Sequence, residues 1–96
     1  MTSGSGSVKQ IYVIYSGNVQ GVGFRFAARR TAVRLGVDGF VRNLPSGDVE
    51  LVCRGYRGQL EDIISALDDA MSGYIRERDV TWQRPDGSFS GFDIRF

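Results

Sequence analysis

Histidine is absent from the chain. Its absence excludes Ser–His and Cys–His nucleophilic pairs, phosphohistidine chemistry and imidazole acid–base catalysis, and it removes the commonest zinc ligand. Cysteine is reduced to one residue, Cys53. No intrachain disulfide can form, and a reducing compartment, the cytoplasm, is the expected setting. No apolar run approaches the roughly 20 residues that span a bilayer, and no signal-peptide pattern opens the chain. An excess of charge is missing too: twelve basic against eleven acidic residues leave a net charge of +1. Bulk charge therefore drives neither nucleic-acid nor membrane binding, and neither partner is expected. Lysine is nearly absent, because Lys9 stands alone among eleven arginines. Arginine presents a planar fork matched to phosphate or carboxylate oxygens, where lysine presents a point charge.

What is present fills one domain. The chain has 96 residues, room for one hydrophobic core. Residues 1–7, rich in serine and glycine, read as a flexible lead outside the fold, and residues 8–96 as the domain. In the first strand, residues 8–16, Ile11, Val13 and Tyr15 share one face while Tyr12 and Ile14 make the other apolar as well, so the strand belongs in the middle of a sheet. Phe24, Ala27, Ala28, Thr31, Ala32 and Leu35 then follow helical spacing, and Gly36 supplies a stop. A second strand, residues 37–44, leads through Pro45-Ser46-Gly47-Asp48, a turn of hairpin length, into a third in which Val49, Leu51 and Cys53 alternate with Glu50, Val52 and Arg54. Leu60, Ile63, Ile64, Leu67 and Met71 form a second helical stripe, with Glu61 and Asp62 placed near its start to suit the helix dipole and Gly73 at its end. Val80 and Trp82 alternate in a fourth strand, Trp82 being expected in the core, and Phe92, Ile94 and Phe96 in a short last one. The order βαββαβ plus a C-terminal strand, with right-handed crossovers, specifies an α+β, ferredoxin-like split β-α-β sandwich. Two helices cover one face of a mainly antiparallel sheet.

The junction between the first strand and the first helix is the feature with chemistry. Residues 17–25 read G-N-V-Q-G-V-G-F-R, with three glycines in the first seven. Glycines let successive N–H groups converge, and a helix start adds free N–H groups and a favourable dipole for an anion. Arg25 follows in the first turn of the helix. The arrangement fits a phosphate-sized anion in the loop with Arg25 over its mouth, but glycine-rich strand-to-helix turns also occur with no ligand at all. No Walker loop is present, Phe26 stands where a dinucleotide motif needs its third glycine, and no C-x5-R loop or Asp-x-Asp pair occurs. A second candidate is Asn43, ending the second strand, whose amide can donate and accept a hydrogen bond. Spacing alone equally allows Asn43 to serve the Pro45 turn.

The string V-Q-G-V-G-F-R at 19–25, followed by Gly39-Phe40-Val41-Arg42-Asn43 with Asn43 eighteen residues after Arg25, then Gly47-Asp48-Val49-Glu50, Gly55 and the closing Phe92-Asp93-Ile94-Arg95-Phe96, resembles the acylphosphatase family. The resemblance covers nearly all of residues 8–96 and is strongest over 11–55. It implies a five-stranded sheet and hydrolysis of the carboxyl–phosphate bond of acyl phosphates, with no metal, no cofactor and no covalent intermediate. It implies that Arg25 binds the phosphate, that backbone amides of about 19–23 hold the other oxygens, and that Asn43 orients the attacking water. The partners so implied are a small acyl phosphate and inorganic phosphate, acting on a monomer. The chain departs from the family pattern at Asn18, at Leu44 and at Gly73-Tyr74-Ile75.

Two other classes fit the same topology. RNA-recognition domains share it, and Gly39-Phe40-Val41 is similar to a fragment of their motif, although Asp38 replaces its basic first position. An acylphosphatase-like regulatory unit of the kind found in hydrogenase-maturation proteins is the other, and a chain ending at Phe96 favours the stand-alone hydrolase.

Overall fold

The computed structural model describes residues 7–96, so the lead expected over 1–7 lies, apart from Ser7, outside the described residues. The elements are β1 (Lys9–Gly17), α1 (Phe24–Leu35), β2 (Asp38–Asn43), β3 (Val49–Gly55), α2 (Arg57–Ala70), β4 (Ile75–Gln83) and β5 (Phe92–Arg95). They form one five-stranded sheet in the order β4-β1-β3-β2-β5. The β1–β3, β1–β4 and β2–β3 pairs are antiparallel and β2–β5 is parallel, so the sheet is mixed. β1 is an interior strand, paired with β3 and β4, while β3 holds the middle position.

Both helices lie on the face formed by Ile11, Val13 and Tyr15 of β1, Val41 of β2, and Val49, Leu51 and Cys53 of β3, all completely buried. The α1 stripe meets them through Phe24, Ala27, Ala28, Thr31 and Ala32, and the α2 stripe through Leu60, Ile63, Ile64 and Leu67. Burial of this kind is worth about 1.5–3 kcal/mol for each large apolar side chain. Thr31 enters the core because its hydroxyl donates to the Ala27 carbonyl one turn back.

Three expectations need correction. Glu61 and Asp62 are not in the first turn of α2: the helix starts earlier, at Arg57, and Gln59 Oε1 accepts from the Tyr56 N–H at its N-terminus. Trp82 is not a core residue but 42% exposed. α2 packs over β1 and β3 and reaches edge strand β4 mainly through its polar side chains, Asp68 on Arg78 and Arg57 over the Trp82 ring. β4 also begins five residues before Val80, because Arg76, Glu77, Arg78 and Asp79 are wet on both faces and show no alternation.

β4 and β5 occupy opposite edges, so their connection is a crossing rather than a hairpin. Four strand spacings amount to about 19 Å, within reach of residues 84–91. The crossing is tied to the sheet by Arg54 Nη2, which donates to the carbonyls of Asp86 and Gly87, and by the Asp86 N–H, which donates to Gln10 Oε1. β5 pairs with β2 so that Arg95 lies opposite Arg42. The next residues, Phe96 and Asn43, therefore come to the same end of the sheet.

Candidate functional site

The site lies where β1 hands over to α1. The pairing with β4 slips between Ser16 and Gly17 and closes at Gly17–Ile75, and Gly17 sits so close to β4 that a Cβ there would collide with the Tyr74 carbonyl oxygen. The Asn18 N–H donates to that same carbonyl. The chain then leaves the sheet as a loop, residues 18–23, pinned at two points. The Val19 side chain is completely buried in the core. Gln20 Nε2 donates to the carbonyls of Leu44 and Asp48, both at 2.8 Å, which ties the loop to the turn after Asn43.

Gly21 and Gly23 take φ of +76° and +81°, values that side chains with a Cβ rarely adopt. They curl the loop into the start of α1. Gly23 is itself the N-cap of α1 and brings no capping side chain, and the first turn contains no acidic residue. A serine, threonine or aspartate cap would occupy an orphan N–H at this helix start. Here the N–H groups of Phe24, Arg25 and Phe26 keep no intrahelical partner, the first α1 bond running from Ala27 to Gly23. Among the described residues, the N–H groups of 19–23 also make no hydrogen bond.

These segments enclose a cavity of about 230 Å³ lined by Val19, Gly21, Gly23, Phe24, Arg25, Phe26 and Asn43. Phe24 forms its floor and packs on Tyr15, ring centroids 4.8 Å apart. Arg25 makes no ion pair among the described residues, unlike Arg42 with Glu50, Arg57 with Glu61 and Arg78 with Asp68. Its guanidinium lies over the Phe96 ring, 4.6 Å from the centroid. Asn43 ends β2 on the helix-facing side, two residues after buried Val41. Arg42 between them points the opposite way, to Glu50. Asn43 Oδ1 is buried and accepts no hydrogen bond. Buried polar atoms are nearly always partnered, so an unpaired acceptor on a residue that lines a cavity is exceptional.

The cavity thus brings together Val19, Gly21, Gly23, Arg25 and Asn43 from the sequence expectations. Gln20 and Val22 do not line it with their side chains. Gln20 is the tie to the turn, and Val22 packs against the core. Two residues were not foreseen. Phe26 follows Arg25 on the outer side of the helix, and its large apolar ring at an exposed position was the available signal. Phe96 reaches the site only through the parallel β2–β5 register, which no local pattern encodes. Cys53 is completely buried, and burial pushes its thiol well above the ordinary range, so it is no nucleophile. Among the described residues, no three His, Cys, Asp or Glu side chains cluster as metal ligands, and no helix is long and apolar enough to cross a membrane.

Free N–H groups at a helix start, one unneutralised guanidinium and one orphan amide oxygen around a small cavity suit a tetrahedral anion with a water beside it. Fold and site together define a ferredoxin-like α+β domain with a small cavity, bordered by unpaired N–H groups and Arg25, at its first strand–helix junction.

Comparison with known proteins agrees. The sequence pattern of the acylphosphatase family matches residues 11–94. The acylphosphatase of Roseiflexus sp. (strain RS-1) is 42% identical over 84 residues, 86% of this chain and 90% of that protein. The crystal structure of acylphosphatase from Bacillus subtilis superimposes with a TM-score of 0.84 at 27% identity, covering 92% of this chain and 99% of that one. An acylphosphatase from Coxiella burnetii gives 0.72 at 34% identity, covering 92% and 93%. The chain belongs to the acylphosphatase family.

Proposed function

We propose that this chain is a metal-independent acylphosphatase in which Arg25 and the 19–23 backbone amides hold the phosphoryl group and Asn43 holds the attacking water. The phosphoryl dianion sits in the cavity against the loop and the start of α1. Its negative charge is met by N–H dipoles and by the Arg25 fork, groups already arranged before substrate arrives. The water accepts its place from Asn43, giving a hydrogen to Oδ1, which lowers the entropic part of the barrier.

The water oxygen then forms a bond to phosphorus on one side while the bond from phosphorus to the acyl oxygen breaks on the other. The acyl group leaves as a carboxylate with that electron pair. A carboxylate is a good leaving group, its conjugate acid having a pKa near ~4.3 by analogy with glutamate, so no general acid is required. The water's proton passes to a phosphoryl oxygen of the substrate itself. Carboxylate and inorganic phosphate are the products. This chemistry needs neither histidine nor a thiol, consistent with the composition of the chain.

The observation that carries this reading is the buried, unpartnered Asn43 Oδ1 in the wall of the cavity that Arg25 also lines. A single buried thiol suits a reducing cytoplasm. The RNA-binding alternative lacks a free stacking platform: the Phe40 ring is taken by the Arg95 guanidinium at 3.8 Å and by the Phe89 ring at 6.1 Å.

The test is hydrolysis of benzoyl phosphate. We expect the wild-type chain to turn it over and Arg25→Lys, which keeps charge but loses the fork, to lower the rate about a thousandfold or more. A wild-type chain that hydrolyses no acyl phosphate, or an Arg25→Lys variant with undiminished rate, overturns the assignment.

A further inference from the structure

Phe26 belongs to two depressions at once. It lines the 230 Å³ cavity with Arg25 and Asn43, and it lines a second groove of about 370 Å³ with Arg29, Arg30 and Val33. These four residues fall at i, i+3, i+4 and i+7, so they form a continuous stripe on the outer face of α1. The stripe is apolar at both ends and cationic in the middle. Phe26 is 61% exposed and Val33 64%, unusual for large apolar side chains on a helix whose opposite face already supplies the core. Arg29 and Arg30 are exposed, make no ion pair among the described residues, and share their groove with no acidic side chain.

In-line displacement gives this stripe a direction. Asn43 stands on the sheet side of the cavity, so a water held there attacks from that side, and the leaving carboxylate must depart from the opposite face of phosphorus. Of the residues lining the cavity, Phe26 is on the solvent side of α1. The acyl group therefore leaves past Phe26 and onto the stripe.

We infer that the outer face of α1 is the acyl-recognition surface of this enzyme, and that its preferred substrates carry an apolar acyl segment, for Phe26, followed by a second anionic group, for Arg29 and Arg30. The inference rests on the phosphoryl-cradle reading above. One helical turn separates Phe26 from the arginines, about 5.4 Å along the axis, so the second anion, a carboxylate or a phosphate, lies about one aromatic ring beyond the reacting carbonyl. An acyl phosphate as short as acetyl phosphate reaches none of these groups.

The experiment compares kcat/KM for acetyl phosphate, benzoyl phosphate and 4-carboxybenzoyl phosphate, each corrected for its spontaneous hydrolysis. In the wild-type chain the order should rise from acetyl to benzoyl to 4-carboxybenzoyl phosphate. The double variant Arg29→Gln/Arg30→Gln should lower the ratio of 4-carboxybenzoyl to benzoyl phosphate about fivefold, the scale of exposed charge pairs. Phe26→Ala should lower the ratio of benzoyl to acetyl phosphate about tenfold. Circular dichroism checks that each variant is folded. Ratios that stay at the wild-type value while all three substrates slow together mean general electrostatic attraction, and they overturn the inference while leaving the hydrolase reading intact. A wild-type chain inactive on all three substrates overturns both.

Discussion

Arg25 rests its guanidinium on the ring of Phe96, and Phe96 follows β5 at the end of the sheet where Asn43 ends β2. One aromatic side chain thus supports the cationic group of the site next to the amide group. The ring takes the guanidinium by its π face, an attraction worth about 0.5–1 kcal/mol at an exposed position, and it leaves the N–H fork free. Phe96→Ala should therefore raise KM for benzoyl phosphate about threefold with a smaller effect on kcat. Phe96→Tyr should restore the wild-type KM. Steady-state kinetics on the two variants separates support of Arg25 from a loss of folding, which would lower the active fraction and appear in kcat.

Gln20 bridges the loop to the turn that follows Asn43 by two hydrogen bonds from one amide nitrogen. Gln20→Glu keeps the size and reverses the chemistry, because a carboxylate oxygen then faces two carbonyl oxygens. Stability should fall by about 1–3 kcal/mol, the cost of leaving such groups unpaired. The cradle should also lose its register with Asn43, so kcat falls together with stability. Urea unfolding and benzoyl phosphate kinetics on the same preparation measure both.

Asn43→Ala removes the orphan oxygen and little else. We expect kcat to fall about a hundredfold or more while inorganic phosphate still inhibits the residual reaction, or still protects against thermal unfolding, at its wild-type concentration. Phosphate affinity lost in proportion to rate would place Asn43 on the phosphate rather than on the water.

Tyr15 is buried against Phe24 with its hydroxyl unpartnered, and burial pushes its phenol well above the ordinary value of 10.0. The direction fixes the effect on stability. Above pH ~10 the unfolded chain releases this proton while the folded chain retains it, so unfolding becomes progressively more favourable as pH rises. Below that range the contribution is fully present. Tyr15→Phe removes the titration and the unsatisfied hydroxyl, so its alkaline unfolding midpoint should move up and its stability at neutral pH should hold or rise. A lower alkaline midpoint in thermal scans across pH would contradict this.

The parts of this molecule that repeat a local pattern were legible in the sequence. The α1 and α2 stripes, the alternation of β3 and the double apolar faces of β1 each encode burial, and burial encodes the sandwich. The G-N-V-Q-G-V-G-F-R junction was visible as a glycine-rich strand-to-helix turn, but its spacing alone fitted a ligand-free turn as well as an anion site. Spacing alone left the Asn43 reading open, and the family resemblance decided it. What escaped was set by register and edges. The stretch from Arg76 to Asp79 of β4 lacks alternation because these edge-strand residues are wet on both sides. Trp82 looked like core because its exposure depends on where α2 lies across the sheet. Phe96 joined Arg25 through a pairing between β2 and β5 that neither strand announces by itself.

If the proposed phosphoryl site is right, the bare cap at Gly23 couples its occupancy to the integrity of the first helix. An anion bound there supplies the acceptor that a serine or aspartate would otherwise bring, so ligand completes secondary structure as well as filling a cavity. By mass action, inorganic phosphate at a hundred times its dissociation constant stabilises the folded chain by about 2.7 kcal/mol. Amide exchange should slow first at Phe24, Arg25 and Phe26. In that mechanism each substrate molecule caps the helix for the length of its stay.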